Sequence, residues 1–266
     1  MKRILITGGA GRIGTALRTG LANSQRILRL TDIANLGDVG PNEEVIETDL
    51  GDLNQVLSLC KGVDAIIHLA GLVSAKLSWE ETLNNNIITN YNVFEAARAN
   101  NVPRVIFASS IHAHGFCPRA QMISDQTPYR PDSLYGLAKV FGEATGHLYA
   151  DKYGLEVICL RIASFRPEPQ SERELATWLS PRDAVQLIER SLVAPDIHFL
   201  ALYGTSNNDC GLYDTSNWEQ IGYRPEDDSS VFTDTVVRGT EPKLEQIFHG
   251  AHFITPGFTG NADQII

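Results

Sequence analysis

This sequence predicts an α/β fold, a doubly wound parallel sheet carrying a small irregular lobe at its C-terminal end. Three observations lead there. Short β-branched runs alternate with amphipathic stretches through residues 1–165, the pattern of βαβ units. A glycine cluster, Gly8-Gly9-Ala10-Gly11-Arg12-Ile13-Gly14, stands between the first strand and the first helix. The composition, 43% hydrophobic and 20% charged over 266 residues, is enough to bury a sizeable core.

In chain order, Ile4–Ile6 is a first strand, 12–21 a helix and Arg26–Leu30 a second strand ending at Asp32. Glu44–Glu47 reads as a short third strand ending at Asp49, 53–60 as a helix, and Ala65–Leu69 as a fourth strand closed by Ala70-Gly71. A long helical pattern over 79–100 leads into a fifth strand, Arg104–Ala108, which ends at Ser109-Ser110. The span 133–153 is a long helix stopped before Gly154, and Glu156–Leu160 is a sixth strand. Beyond Arg166-Pro167-Glu168-Pro169 the alternation fails. Ser180-Pro181-Arg182-Asp183 starts one more helix, with a serine cap, proline at the first helical position and an acid closing the box. The remaining residues are rich in Gly, Pro, Asn and Tyr, and they predict a lobe over the carboxyl edge of the sheet.

The formal net charge is −10 and no basic run occurs, which argues against nucleic acid or an anionic membrane as the main partner. No stretch of about 18 apolar residues could span a bilayer, and Ile4–Ile6 is far too short for a signal-peptide core. Cys60, Cys117, Cys159 and Cys210 are scattered without a C-x-x-C pair, which predicts free thiols in a reducing cytoplasm.

The glycine cluster gains meaning from its place. Glycine can take the positive φ of a tight turn, and without a Cβ the backbone N–H groups of Gly8, Gly11, Arg12, Ile13 and Gly14 can approach a pyrophosphate at a helix N-terminus. Its spacing is G-x-x-G-x-x-G. Asp32 lies 18 residues beyond Gly14, near the ~20 expected for an acid that accepts hydrogen bonds from ribose hydroxyls and repels a 2′-phosphate, so NAD is expected over NADP. Asp49 could meet the adenine edge. Residues 1–165 are thus read as a dinucleotide-binding Rossmann core, and 166–266 as its last elements plus a substrate lobe, the two forming one unit.

Tyr135 and Lys139 fall one helical turn apart on one face. A free phenol, with a pKa near 10, is a poor base at neutral pH. A neighbouring ammonium, together with the positive nicotinamide ring, favours phenolate, and a phenol so lowered can take a proton from a substrate hydroxyl. Ser110, at the end of the fifth strand, can hydrogen-bond the same oxygen. His112 and His114 form a His-x-His pair with no carboxylate or cysteine nearby in sequence to complete a metal set, so no metal is expected, and His68 reads as a structural histidine.

These residues, Gly8, Gly11, Gly14, Asp32, His68-Leu69-Ala70-Gly71, Ser110, Tyr135 and Lys139, resemble the extended short-chain dehydrogenase/reductase family over the first ~165 residues. Within that family the chain looks like the uronate dehydrogenases, through Asn86-Ile87-Ile88, Phe107-Ala108-Ser109-Ser110, 135–143, Thr177-Trp178-Leu179-Ser180 and 203–208. The resemblance implies oxidation of the anomeric hydroxyl of a hexuronate (galacturonate or glucuronate) by NAD, giving an aldarolactone. Ser110, Tyr135 and Lys139 would be the catalytic set. Leu50, Leu69, Ala70, Gly71 and Asn86 would join the glycine loop, Asp32, Asp49, Tyr135 and Lys139 in holding NAD. Ser74, Ser110, His112, Ser164 and Arg173 would line the sugar site, with the Arg173 guanidinium forked onto the carboxylate, although it could equally clamp a phosphate. The family pattern after strand five is Ser-Asn-His, whereas this chain has Ser110-Ile111-His112, so one polar contact to the sugar is lost and the substrate could shift. A homo-oligomer is also implied. Dehydrogenation of another aldose or a sugar phosphate, an epimerase or dehydratase that retains NAD, and a non-catalytic NAD sensor remain as alternatives.

Overall fold

In the computed structural model, which describes residues 2–22, 25–208, 211–237, 239 and 241–266, the chain opens with β1 (Lys2–Thr7), α1 (Arg12–Leu21), β2 (Arg26–Thr31) and β3 (Glu43–Val45). Next come α2 (Leu53–Leu59), β4 (Ala65–His68), α3 (Trp79–Thr82) and α4 (Ile88–Ala99), the last two joined through one π-helical turn, Leu83–Ile87. Then follow β5 (Arg104–Ser110), α5 (Leu134–Tyr153) and β6 (Glu156–Ile162). The last elements are β7 (Ser164–Phe165), α6 (Glu172–Thr177), β8 (Trp178–Leu179), α7 (Pro181–Val193), β9 (Phe199–Gly204) and α8 (Lys243–Ile247).

Seven strands form one sheet in the order β3-β2-β1-β4-β5-β6-β9, every neighbouring pair parallel. The order reverses between β1 and β4, and there the carboxyl ends of the strands leave a crevice. The pleat divides the core. Ile4 and Ile6 face one layer with Leu17, Leu21, Leu187 and Ile188, while Leu5 faces the other with Val93, Phe94 and Tyr149. The doubly wound parallel sheet is therefore present as expected.

The differences are local. The long helical pattern at 79–100 starts at a capping box between Ser78 and Glu81 and runs as three pieces, because the π turn at Leu83–Ile87 shifts the face between α3 and α4. The helix expected from Ser180 is α7, and a strand the sequence did not announce, β9, follows it to complete a β6–α7–β9 crossover where the alternation was expected to fail. β9 escapes a sequence reading because Leu200 to Gly204 are all buried, and a continuous apolar run has no period of two to betray a strand. β7 and β8 pair as a separate two-stranded ribbon. The described residues beyond 204 add short turns and α8, and from them the segment 248–254 packs back over the sheet's carboxyl edge.

Cys60, Cys117 and Cys159 are free and buried; Cys210 lies outside the described residues. Among the described residues no helix is long and apolar enough to cross a membrane, and no group of three or more His, Cys, Asp or Glu is placed to hold a metal.

Candidate active site

A cleft of about 650 Å³ lies on the crevice at the switch point, and most of the residues singled out in the sequence line it. One end is built by the glycine loop. Gly8 has φ +73°, and a Cβ there would sit 2.8 Å from the Ala70 nitrogen; a Cβ on Gly14 would overlap the carbonyls of Gly8 and Gly9. The two glycines thus let the loop fold flat against the end of β4. α1 begins at Gly11 without a side-chain cap, so the first-turn N–H groups are left for a ligand. Asp32 accepts the backbone N–H of Ala10 through Oδ2 and that of Ala34 through Oδ1, both at 2.9 Å. The carboxylate that closes β2 therefore also braces the loop.

Arg12, Ile13, Asp49, Leu50, Leu69, Ala70 and Gly71 line the same end. Asn86 does not. Its amide is spent on Leu72, donating to the carbonyl and accepting from the N–H, each at 2.9 Å, so it shapes the loop after β4 from behind. Ser74 is also absent from the lining, its hydroxyl accepting the Lys76 N–H at 3.1 Å.

At the other end Ser110, Tyr135 and Lys139 come together. Ser110 ends β5, Ser133 caps α5 by accepting the Gly136 N–H, and the first turn of α5 then delivers Tyr135 against the strand. The Ser110 hydroxyl hydrogen-bonds the phenol oxygen. Lys139 Nζ donates to the Ala108 carbonyl at 2.7 Å and lies 5.4 Å from the Tyr135 ring centre.

The electrostatics of the protein's own groups show how the medium acts on this pair. Burial pushes the Tyr135 phenol up to about 12; the Ser110 hydrogen bond opposes this, and the Asp132 carboxylate adds to it. Burial also pulls Lys139 down to about 8. In this dry wall desolvation dominates both groups, and the ammonium is held on a strand carbonyl; the positive nicotinamide ring, the other half of the expectation, is not among the charges acting here. Behind them His68 is fully enclosed between Thr7 Oγ1 (2.7 Å) and Asn90 Oδ1 (3.0 Å), and burial followed by repulsion from Lys139 holds it down to about 3, a neutral structural ring.

His112, Ser164, Arg173, His252 and Phe253 line the same cleft as Tyr135. Ser164 shares a 2.8 Å hydrogen bond with Thr177, and Arg173 donates to the His249 carbonyl at 3.0 Å. The Glu174 carboxylate, a natural neighbour for Arg173, is taken by Arg166 and by the Gln170 N–H. Burial holds the Arg173 guanidinium below its ordinary value, and among the described residues no acid forms an ion pair with it. Ile111 is 2% exposed and fills an apolar cluster with Cys117, Ile123, Tyr203 and Tyr213. Sequence reasoning missed Asp132, His252 and Phe253. The last two stand more than 110 residues from Tyr135 in the chain, and for Asp132 the one signal was its place before the Ser133 cap.

The profile of the NAD dependent epimerase/dehydratase family matches residues 4–180. The chain is 42% identical over 259 residues to a uronate dehydrogenase of Pseudomonas putida, covering 96% of each protein. Among solved structures, glucuronic acid dehydrogenase from Chromohalobacter salexigens superposes with a TM-score of 0.92 at 38% identity, covering 98% of both chains. A mutant of uronate dehydrogenase from Agrobacterium tumefaciens complexed with NAD does so with a TM-score of 0.90 at 41% identity, covering 96% of this chain and 97% of the other.

Proposed function

The chain belongs to the NAD dependent epimerase/dehydratase family, and from that premise we propose that it oxidises the C1 hydroxyl of a hexuronic acid, galacturonate or glucuronate, to an aldarolactone with NAD. The observation that carries this reading is the guanidinium of Arg173, set in the wall of the cleft that also holds Ser110 and Tyr135 and, among the described residues, left without a carboxylate of its own. A half-buried cation without an acid partner is costly unless a ligand supplies the anion, and a guanidinium forks onto a carboxylate through two parallel hydrogen bonds. The full-length likeness to uronate dehydrogenases points the same way.

The residues present fit the cofactor. The flat glycine loop and uncapped start of α1 would hold the pyrophosphate, Asp32 the adenosine ribose, Asp49 and Leu50 the adenine end, and Leu69, Ala70, Gly71 and Lys139 the nicotinamide half. When bound, NAD supplies the hydride acceptor and a positive ring. The chain's own part is to place and deprotonate the sugar. Arg173 fixes the carboxylate, which fixes the distance from that end of the sugar to C1. Ser110 hydrogen-bonds the C1 hydroxyl oxygen, and the Tyr135 oxygen takes its proton. The roof formed by Phe253 keeps that transfer out of bulk water.

Residues 166–266 act as the substrate lobe. The protein works as a cytoplasmic homo-oligomer, its exposed Tyr91, Leu137 and Leu148 on α4 and α5 supplying apolar surface for the contact.

The test is absorbance of NADH with purified protein, NAD and a panel of galacturonate, glucuronate, neutral aldoses and sugar phosphates. NADH should accumulate with the uronates. A preference for neutral or phosphorylated sugars, or turnover without released NADH, overturns the reading.

A further inference from the structure

Twenty residues separate His112 from Asp132, yet the fold seats the imidazole Nδ1 2.6 Å from the Asp132 Oδ2 oxygen, with both groups buried. The chain makes unusual room for this carboxylate. A Cβ on Gly115, just past the turn that carries His112, would overlap it, and so would a Cβ on Gly250, from the C-terminal segment. Its second oxygen accepts the Ser133 hydroxyl at 2.8 Å. The ring is held on its face as well, stacked on Phe253 with centroids 3.7 Å apart and planes 26° from parallel, while its edge meets Tyr135 at 5.8 Å. The imidazole is therefore fixed in position and in rotation, and it lines the cleft beside Tyr135.

An ionised carboxylate only accepts, so in the neutral ring the hydrogen sits on Nδ1 and Nε2 carries a lone pair. No protein group among the described residues hydrogen-bonds Nε2. We infer that Asp132 is a positioning residue that acts through His112, locking the tautomer in which Nε2 accepts a hydrogen bond from a sugar hydroxyl adjoining the reacting carbon. The inference rests on the reading of the cleft as a sugar-oxidising site and deepens it. With the hydrogen on Nε2 instead, the ring would donate and would suit a carbonyl or an acid at that place, so the carboxylate selects for a hydroxyl-bearing substrate. Phe253 and Gly250 tie this selection to the C-terminal segment, which closes the same wall.

Two measurements test it. With histidines labelled in ¹⁵N, at a pH where the ring is neutral, His112 in the parent should show a protonated Nδ1 and a bare Nε2. Asp132→Asn, whose amide can donate to Nδ1, should move the hydrogen to Nε2. A parent ring already protonated on Nε2, or a tautomer unmoved in the variant, overturns the inference. This readout needs no substrate, so it stands even if the panel of sugars refutes the uronate reading. The second is a double-mutant cycle on the sugar that turns over best, with Asp132→Asn and His112→Gln. If Asp132 acts through His112, the asparagine lowers kcat/KM roughly tenfold or more in the parent and adds little once His112 is gone. Additive losses would mean that Asp132 merely supports the Ser133 cap, and they overturn the inference. Should Asp132→Asn fail to fold, Gly250→Ala displaces the carboxylate without removing it and should give the same tautomer change.

Discussion

Replacing Arg173 by alanine separates recognition of the carboxylate from the chemistry at C1. Among the described residues this guanidinium keeps one hydrogen-bond partner, the His249 carbonyl at 3.0 Å, while Glu174 is occupied by Arg166 at 2.5 Å. A charged hydrogen bond contributes about 1.5–3 kcal/mol net, and a fork makes two that share one desolvation cost, so about 3 kcal/mol is a fair total. At 1.36 kcal/mol per tenfold, this corresponds to a loss of roughly 150-fold in kcat/KM for galacturonate. A neutral aldose offers no carboxylate and should lose less than about threefold, since only packing changes. Arg173→Lys keeps the charge without the fork and should fall between, near tenfold. Because the arginine is an uncompensated cation in a desolvated wall, Arg173→Ala should leave the melting temperature unchanged or raise it. Initial rates of NADH formation on galacturonate and galactose, run side by side for parent and variants, give the ratio directly. An equal loss on both sugars refutes the reasoning, because the arginine would then be shaping the cleft rather than holding an anion.

Tyr135→Phe should abolish turnover while NADH binding, followed by fluorescence, stays within about twofold; substantial residual rate removes the phenol from the base role. Since ionisation of the phenol rises with pH, kcat/KM for oxidation should climb from pH 6 to 9, and Ser110→Ala, which deletes the hydrogen bond that lowers the phenol, should move the climb to higher pH; a profile in the same place refutes the role given to Ser110. Asp32→Ala should narrow the preference for NAD over NADP by roughly tenfold, one lost charge repulsion, and should cost some stability because Ala10 and Ala34 lose their acceptor. Glu143→Ala strands Arg161, which is 1% exposed and pairs with Glu143 at 2.9 Å, so denaturant unfolding should show a loss of about 3–5 kcal/mol; a loss below about 1 kcal/mol would mean that the pair is not a mainstay of the fold.

What was legible in the sequence follows from the range of the forces involved. The glycine loop, the cap at Ser133 and the Tyr135–Lys139 spacing are set by backbone sterics and helix period, which act over a few residues and so leave their mark in the string itself. The alternation of strands and helices through β6 is legible for the same reason. β9 was not, because burial on both faces erases periodicity. Nor was the retreat of Asn86 and Ser74 from the cleft, since each side chain is captured by a backbone group whose direction depends on the loop after β4. Asp132 and Phe253 reach His112 only after the chain has closed, and no local pattern reports that.

The phenol shows where sequence reasoning about charge stops. Spacing correctly brings an ammonium within 5.4 Å of the Tyr135 ring, and a neighbouring cation does favour phenolate. Spacing says nothing about the medium, and here the medium decides. With burial at the head of the balance and the phenol pushed up to about 12, the protein's own groups keep the ring protonated at pH 7. The same burial leaves Lys139 at about 8, so the lysine itself begins to lose its charge only slightly above neutral pH. On the proposed reading, with Tyr135 as base, such a phenol stays protonated until further positive charge enters the cleft, which would confine proton removal to the assembled complex. Lys139→Met should therefore lower the rate far more than it alters stability, since the side chain it removes is a buried cation whose main fixed partner is one strand carbonyl. A melting temperature that falls in step with the rate would mean that the ammonium is a structural strut, and that the control of the phenol lies elsewhere.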